Sequence, residues 1–389
     1  MLKYDVAVIG AGPAGSMAAK HAALAGANVL LLEEHKEIGW PVGCAGLIGL
    51  KALEESEIPL GKFAIQAFKG ADVYSPNAKV SFKAPSLKAW AVSRKLFDRS
   101  LALEAVRNGV DLSFGSYVKS FRRNGGSCIL ATGDGREIQA RVVISAEGVR
   151  AFVARRAGIA PPDKILSGAQ VELPFTAEDQ EKVEIHFGPA PGLFAWVIPL
   201  GNDMARAGLC TKENACFYLR KFLKGDLMKG RILGSPIDLV VGGLPMGPPL
   251  STVAEGLIAV GDAAGQVKPT SGGGIYPGLV CAKAAGKVAA AAALEGNSSK
   301  KRLGECDRLW RARIGQEMAV GMRLNNLIDS LTLEEIDEIF AYLSRKPELL
   351  RLVKEHGDID RPSILALKML SHVGIDGLNL AHLLRKAFF

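Results

Sequence analysis

Apolar positions along this chain change period several times, and each change marks an element. Residues 6–9 (VAVI) form an unbroken apolar run that enters the glycine-rich stretch 10–15 (GAGPAG) directly. A short run closed by glycine predicts a strand buried on both faces. Ala14, Met17, Ala18, Ala22 and Leu24 then recur on a helical stretch that breaks at Gly26, and 28–32 (NVLLL) predicts a second strand ending in Glu33. Ser93 has the chemistry of an N-cap for a helix over 94–108 that stops at Gly109. Segments 110–114, 117–122, 127–131 and 136–144 have strand length and are separated by turns such as Asn124, Gly125 and Gly126. They predict a meander inserted before the chain returns to a parallel sheet at 142–145.

Farther on, 170–173, 183–187, 194–199 and 205–210 alternate or run apolar at strand length. They predict a mostly antiparallel sheet, to which 71–91 contributes. Residues 257–260 read as a strand returning to the first sheet, followed by a small-residue helix from about Gly274. Periodicity makes 300–389 helical, with Thr332 as a cap ahead of Glu334 and Glu335. The fold class is therefore α/β. The chain divides into a discontinuous nucleotide-binding unit (1–70, 92–164 and 251–299), a substrate-facing sheet unit (71–91 and 165–250) and a helical region (300–389).

The spacing G-x-G-x-x-G at Gly10, Gly12 and Gly15 gives the first unit its chemistry. Gly10 permits a tight turn, Gly12 lets a diphosphate approach the backbone, and Gly15 lets the helix lie close to the strand. The helix N-terminus then offers unpaired N–H groups and partial positive charge to a dianion. Glu33, at the tip of the second strand, is placed to hold ribose hydroxyls and would repel a 2′-phosphate, which argues against NADP. Glu34 competes for that role, and the direct succession of Glu33 on the apolar run favours Glu33. Two later motifs turn the reading from a nicotinamide to a flavin. A strand ending in Gly261 and Asp262 sets a carboxylate against ribityl hydroxyls. The bare loop 269–275 (PTSGGGI) then presents N–H groups of Gly273, Gly274 and Ile275 to the N1/C2=O edge of an isoalloxazine. With Gly10–Gly15 and Glu33, these two motifs read as FAD, and Ala14, Cys44, Ala45 and Val118 are also assigned to the cofactor. A second G-x-G-x-x-G after a strand is not readable, so electrons are expected from a transient donor: ferredoxin, a deazaflavin or NADPH.

Composition narrows the partners. Of 389 residues 48% are hydrophobic and 23% charged, and the net charge is +8, which suits an anionic partner such as a diphosphate or phospholipid headgroup. Only 6% are aromatic and the basic residues are scattered, so no nucleic-acid platform is expected. The six cysteines (44, 128, 210, 216, 281 and 306) form no C-x-x-C pair and are read as reduced thiols without metal. A first strand that begins at once leaves no room for a signal peptide, and apolar runs stay under ~18 residues, so a cytoplasmic protein is expected. The amphipathic segment Leu378–Phe389 is read first as a core-facing terminal helix, with a peripheral contact at the inner membrane surface as the alternative.

Gly10–Gly15, Glu33, residues 41–46 (PVGCAG), Gly261 with Asp262, and 272–275 (GGGI) together resemble the geranylgeranyl reductase family of FAD-dependent enzymes. Residues 194–199 (FAWVIP) with Gly208 are similar to that family's aromatic-x-Trp-x-Phe-Pro…Gly stretch, and the resemblance spans residues 1–300. The sequence departs from it or the wider superfamily at Glu147 (usually Asp), Ala151 (often Ser), Ile198 (Phe) and Cys210 (Gly). The resemblance implies a Rossmann-type FAD-binding domain of the hydroxylase-like flavoprotein fold, an antiparallel-sheet substrate domain and a helical C-terminal region. It implies saturation of isoprenoid C=C bonds, the substrate being an ether-lipid precursor, geranylgeranyl diphosphate or a chlorophyll precursor. Hydride would come from reduced flavin and a proton from the protein. Cys44 is the first candidate donor and Tyr276 the second, while Phe194, Trp196 and Pro199 are assigned to the substrate and Arg94 to an FAD phosphate. His186 is read as structural, with no carboxylate beside it, and Lys79 and Lys83 as exposed strand charges. The runner-up is a monooxygenase or halogenase, because FAWVIP is close to W-x-W-x-I-P; a halogenase needs a lysine beside the flavin tunnel. An electron-carrying flavoprotein is the third reading.

Overall fold

The computed structural model of the chain describes residues 1–370. The strand Leu2–Ile9 lies at the centre of an eight-stranded sheet and is parallel to Val29–Leu32 on one side and Glu137–Ser145 on the other. Its residues Val6, Ala7 and Val8 are fully buried, as the unbroken apolar run requires. The helices Pro13–Leu24 and Ile275–Leu294 cover one face, and an apolar cluster including Leu130, Ile138 and Val153 covers the other. Small residues let these two helices touch: a Cβ on Gly286 would lie 2.3 Å from the Ala18 carbonyl oxygen. Ile275–Leu294 is also long and apolar enough to cross a membrane, but most of it is buried inside the protein.

The expected meander is only partly present. Asp111–Ser113 is a parallel edge strand beside Val29–Leu32, outside any meander. Val118–Asn124 and Ser127–Thr132 form a hairpin on the first half of Glu137–Ser145, whose second half pairs in parallel with Leu257–Ala259. One nine-residue strand thus serves both the hairpin and the parallel sheet.

A seven-stranded sheet runs in the order Asp238–Met246, Lys164–Pro174, Met204–Thr211, Gly192–Gly201, Lys182–His186, Gly70–Tyr74, Lys79–Lys83. Asp238–Met246 was not legible as a strand, since its two glycines interrupt the alternation. Within 71–91, Ala89–Val92 leaves this sheet and forms a three-stranded one with Leu47–Gly49 and Ala64–Phe68. The helix Ala215–Leu223 packs one face of the seven-stranded sheet through Ala215, Leu219 and Phe222. Helix Leu333–Ser344, with the Thr332–Glu335 capping box, lays Ile336 and Phe340 against Val80 of the edge strand. Leu378–Phe389 lies outside the described residues.

Candidate functional site

The glycine-rich turn builds one wall of a cleft of about 230 Å³. Gly10 has φ +96°, and a Cβ there would sit 2.4 Å from the Ala146 carbonyl oxygen. On Gly15 a Cβ would come within 1.7 Å of the Gly10 oxygen, so helix and strand touch as the motif demands. Gly12 is different: it lines the cleft, and a Cβ on it would meet nothing within 4 Å. The helix that starts at Pro13 has no side-chain cap. Its first N–H groups are left to whatever anion enters.

Glu33 is buried at the tip of the second strand, where Oε2 accepts from the Ala11 N–H (2.9 Å) and Oε1 from the His35 N–H (3.0 Å). Glu34 instead pairs at the surface with Arg150.

Opposite the glycine turn stand Cys44, Arg94, Asp262, Gly274 and Ile275, all lining the same cleft. Ser93 caps the helix Arg94–Arg107 by accepting from the Leu96 N–H. This cap fixes Arg94 at the first turn, one turn before Asp98. Arg94 makes two bonds to that carboxylate, Nε to Oδ1 (3.0 Å) and Nη2 to Oδ2 (2.9 Å). Burial alone would lower the Arg94 pKa, but Asp98 and the neighbouring Cys44 raise it above the ordinary value. Burial pushes the Asp98 carboxyl up, against the pull of Arg94. Asp98 was missed from sequence, although its i,i+4 spacing from Arg94 was a readable signal.

Asp262 follows the strand Leu257–Ala259 and faces Gly274, whose Cβ would lie 2.9 Å from Asp262 Oδ1. Burial raises its pKa to about 6, with Arg94 pulling the other way. A raised folded pKa favours the folded state below the unfolded value and loses that advantage as pH rises through the folded value. We therefore expect the ligand-free protein to lose stability between about pH 4 and pH 7, by up to about 3 kcal/mol from this group. Urea melts of the ligand-free protein across that range check it, and Asp262→Asn is expected to flatten the profile. An unchanged slope in that variant would assign the effect elsewhere.

The loop bearing Cys44 is held by a residue that the sequence did not suggest. Arg206, in the seven-stranded sheet, donates from Nη1 to the carbonyls of Ala45 and Val92 (3.0 Å each) and from Nε to Glu172 (3.1 Å). Gly46 must be glycine here, because it has φ +71° and a Cβ would meet Arg206 Nη1 at 2.4 Å. Cys44 Sγ accepts a weak bond from the Gly46 N–H (3.4 Å). Among the other thiols, Cys210 is pushed up to about 12 by burial and then by Cys44, and burial also raises Cys128, Cys281 and Cys306. Cys44 is the one cysteine among the described residues that lines the cleft.

The bare loop is anchored from behind. Lys268 Nζ bonds Asp360 Oδ1 (2.6 Å) and the Ile359 carbonyl (3.0 Å), and both side chains are buried. A Cβ on Gly273 would strike Lys268, so Gly273 is bare because a lysine lies under it. In the same loop the Ser271 hydroxyl is buried and has no partner within the protein. Open space over Gly12, the glycine loop and this unpartnered hydroxyl fit a dinucleotide-linked flavin.

The remaining predicted residues divide. Phe194 and Trp196 sit edge to face (6.4 Å), and Trp196 Nε1 donates to Gln170 (3.0 Å). Gly208 leaves room for that indole, since a Cβ would lie 2.6 Å from it. Leu244 and Val267 belong both to the cleft wall and to the apolar cluster containing Phe194 and Trp196. Pro199 is buried, and strand alternation puts it on the other sheet face from Phe194 and Trp196. Val118 packs in the core with Leu32 and Ile9. Tyr276 is buried in the main core, bonds Arg361 and is not among the cleft-lining residues. His186 does have a carboxylate beside it: its Nε2 is 3.2 Å from Glu184, which Arg231 also holds. Period-2 alternation brought Glu184 to the same side, a signal available but not used. Lys79 and Lys83 are partly exposed and are paired with Asp72 and Glu178, and with Asp179 and Glu181.

Residues 5–184 match the family model described as lycopene cyclase protein. A digeranylgeranylglycerophospholipid reductase of Methanothermobacter thermautotrophicus is 35% identical, over 94% of this chain and 99% of its own. Among solved structures, a geranylgeranyl bacteriochlorophyll reductase-like protein from Thermoplasma acidophilum superposes with a TM-score of 0.84 at 25% identity, covering 98% of this chain and 100% of that one. The halogenase PltM, solved with FAD, shares the fold alone (TM-score 0.68, 14% identity, 99% and 94% coverage).

Proposed function

The chain belongs to the digeranylgeranylglycerophospholipid reductase family, and on that premise we propose that it binds FAD and saturates the C=C bonds of geranylgeranyl chains on membrane ether-lipid precursors. The observation that carries this reading is the continuity of the cleft with the Phe194–Trp196 cluster through Leu244 and Val267. A polar, glycine-walled end suits a cofactor, and the apolar end suits a polyprenyl chain.

An isolated alkene resists hydride attack, so the reduction needs close alignment and a proton source. When bound and reduced by a transient donor, the flavin would supply the hydride. Gly12 and the uncapped helix start would receive the diphosphate, Glu33 the ribose hydroxyls, and Asp262 the ribityl chain. Arg94 is tied to Asp98 and presents fixed positive charge beside Cys44. The Cys44 thiol gives its proton to the second carbon of the double bond, with the Arg94 guanidinium beside it. Phe194, Trp196 and the bridging leucine and valine keep water from that carbon. No lysine lines the cleft among the described residues, and Lys268 is committed to Asp360, which favours reduction over the halogenase reading.

Anaerobic incubation with dithionite and a geranylgeranyl ether lipid, followed by mass spectrometry, tests the reading. Hydrogens should be gained in pairs. Oxygen or halide insertion under air, with no such gain, would overturn it.

A further inference from the structure

The two edges of the seven-stranded sheet are treated differently. Lys79–Lys83 is covered by the helix Leu333–Ser344. The opposite edge strand, Asp238–Met246, is buried at its C-terminal end, but among the described residues nothing covers its first half, where Leu239 and Val241 are 60% and 57% exposed. The chain leading into this strand follows the same border: the Leu233 N–H bonds the Pro174 carbonyl and the Ile237 N–H the Glu172 carbonyl, and Ile237 is 68% exposed. A flat apolar edge without cover invites association, so soluble proteins normally blunt or hide it.

Pairing places these residues on a definite face. Leu239 sits opposite Val171 and Val241 opposite Ala169, and both partners belong to the face packed by the helix Ala215–Leu223. That helix buries Ala215, Leu219 and Phe222. Helical spacing therefore turns Phe217, Arg220, Lys221 and Lys224 outward, and Phe217 is 60% exposed. Among the described residues none of Arg220, Lys221 or Lys224 has a carboxylate partner; the exposed acids nearest in sequence are Glu213, which bonds Tyr218, together with Asp226 and Asp238. An apolar border flanked by unpaired cations has the chemistry of a surface that lies on anionic lipid.

We propose that the border formed by Ile237, Leu239 and Val241, with the outer face of the helix Ala215–Leu223, docks on the surface of an anionic phospholipid bilayer. The same strand carries Leu244 into the cleft wall, so the docked border adjoins the apolar end of the cavity. Docking is independent of the reaction, and it is read with vesicles that contain no isoprenoid chain.

The full chain is sedimented with vesicles of phosphatidylglycerol and phosphatidylcholine, and with phosphatidylcholine alone, at low and high salt. Expected is binding to the anionic vesicles that weakens with salt. Leu239→Glu with Val241→Glu should lower the bound fraction at least tenfold, and Lys221→Glu with Lys224→Glu should remove the preference for anionic lipid. These positions are exposed, and each variant's melting temperature and its turnover of detergent-dispersed substrate should match the parent. Failure of the parent to bind, or equal binding by both folded variants, overturns the proposal. So does a change from dimer to monomer in the Leu239→Glu, Val241→Glu protein, which would make the border a contact between copies of this chain.

Discussion

Gly12→Asp should yield a folded protein without its yellow colour. The backbone at Gly12 has φ −69° and ψ −176°, a conformation open to any residue, and nothing stands within 4 Å of the new Cβ. The fold therefore has no reason to suffer. The added carboxylate, however, occupies the place where a dianionic diphosphate must approach the start of the helix. Like charge at that distance opposes the attraction of the free N–H groups, and a loss of at least about 100-fold in flavin affinity, or about 3 kcal/mol, is expected. Flavin absorbance after reconstitution and a thermal melt of the ligand-free protein separate the two effects. Gly15→Ala makes the contrast, because its Cβ would collide with the Gly10 carbonyl and destabilise the fold itself. Full flavin occupancy in Gly12→Asp would mean that the diphosphate lies elsewhere.

The second large effect is expected at Cys44. Its side chain lines the cleft, interacts with the Arg94 guanidinium and accepts a long bond from the Gly46 N–H. Replacement by alanine should leave flavin binding and stability nearly unchanged. If the thiol supplies the proton, kcat for C=C reduction should fall by roughly 10²- to 10⁴-fold, the range for a positioned general acid. Single-turnover oxidation of the reduced enzyme by the polyprenyl lipid measures this directly. A rate within about twofold of the parent would limit Cys44 to shaping the pocket, and would return attention to how water reaches the second carbon.

Much of this site was legible because its requirements are local. Gly10, Gly12 and Gly15 announce a turn whose geometry is set within six consecutive residues. Ser93 announces a helix start, and that start places Arg94. Strand period separated the two sheets, and the exposed edge strand escaped because Gly242 and Gly243 break the alternation that identifies strands. What sequence withheld was contact between distant segments. Arg206 reaches two carbonyls more than a hundred residues away, and no spacing rule encodes such a bond. Tyr276 was chosen for its chemistry and its place after the glycine loop, yet the first turn of its helix directs it into the core. Pro199 came with its motif, and alternation alone would have separated it from Trp196.

The pair Lys268–Asp360 gives the C-terminal helices a place in the cofactor site's foundation. Lys268 supports the bare loop from beneath, and among the described residues the carboxylate bonded to it comes from a segment ninety-two positions later. Lys51 and Asp358 tie that segment to the nucleotide-binding side a second time. A chain cut before residue 358 would take from Lys268 both its bonded carboxylate and the Ile359 carbonyl, and so loosen the support under the glycine loop. Shortening this protein from its C-terminal end would then register first as poor flavin retention, in a region whose sequence holds no flavin motif.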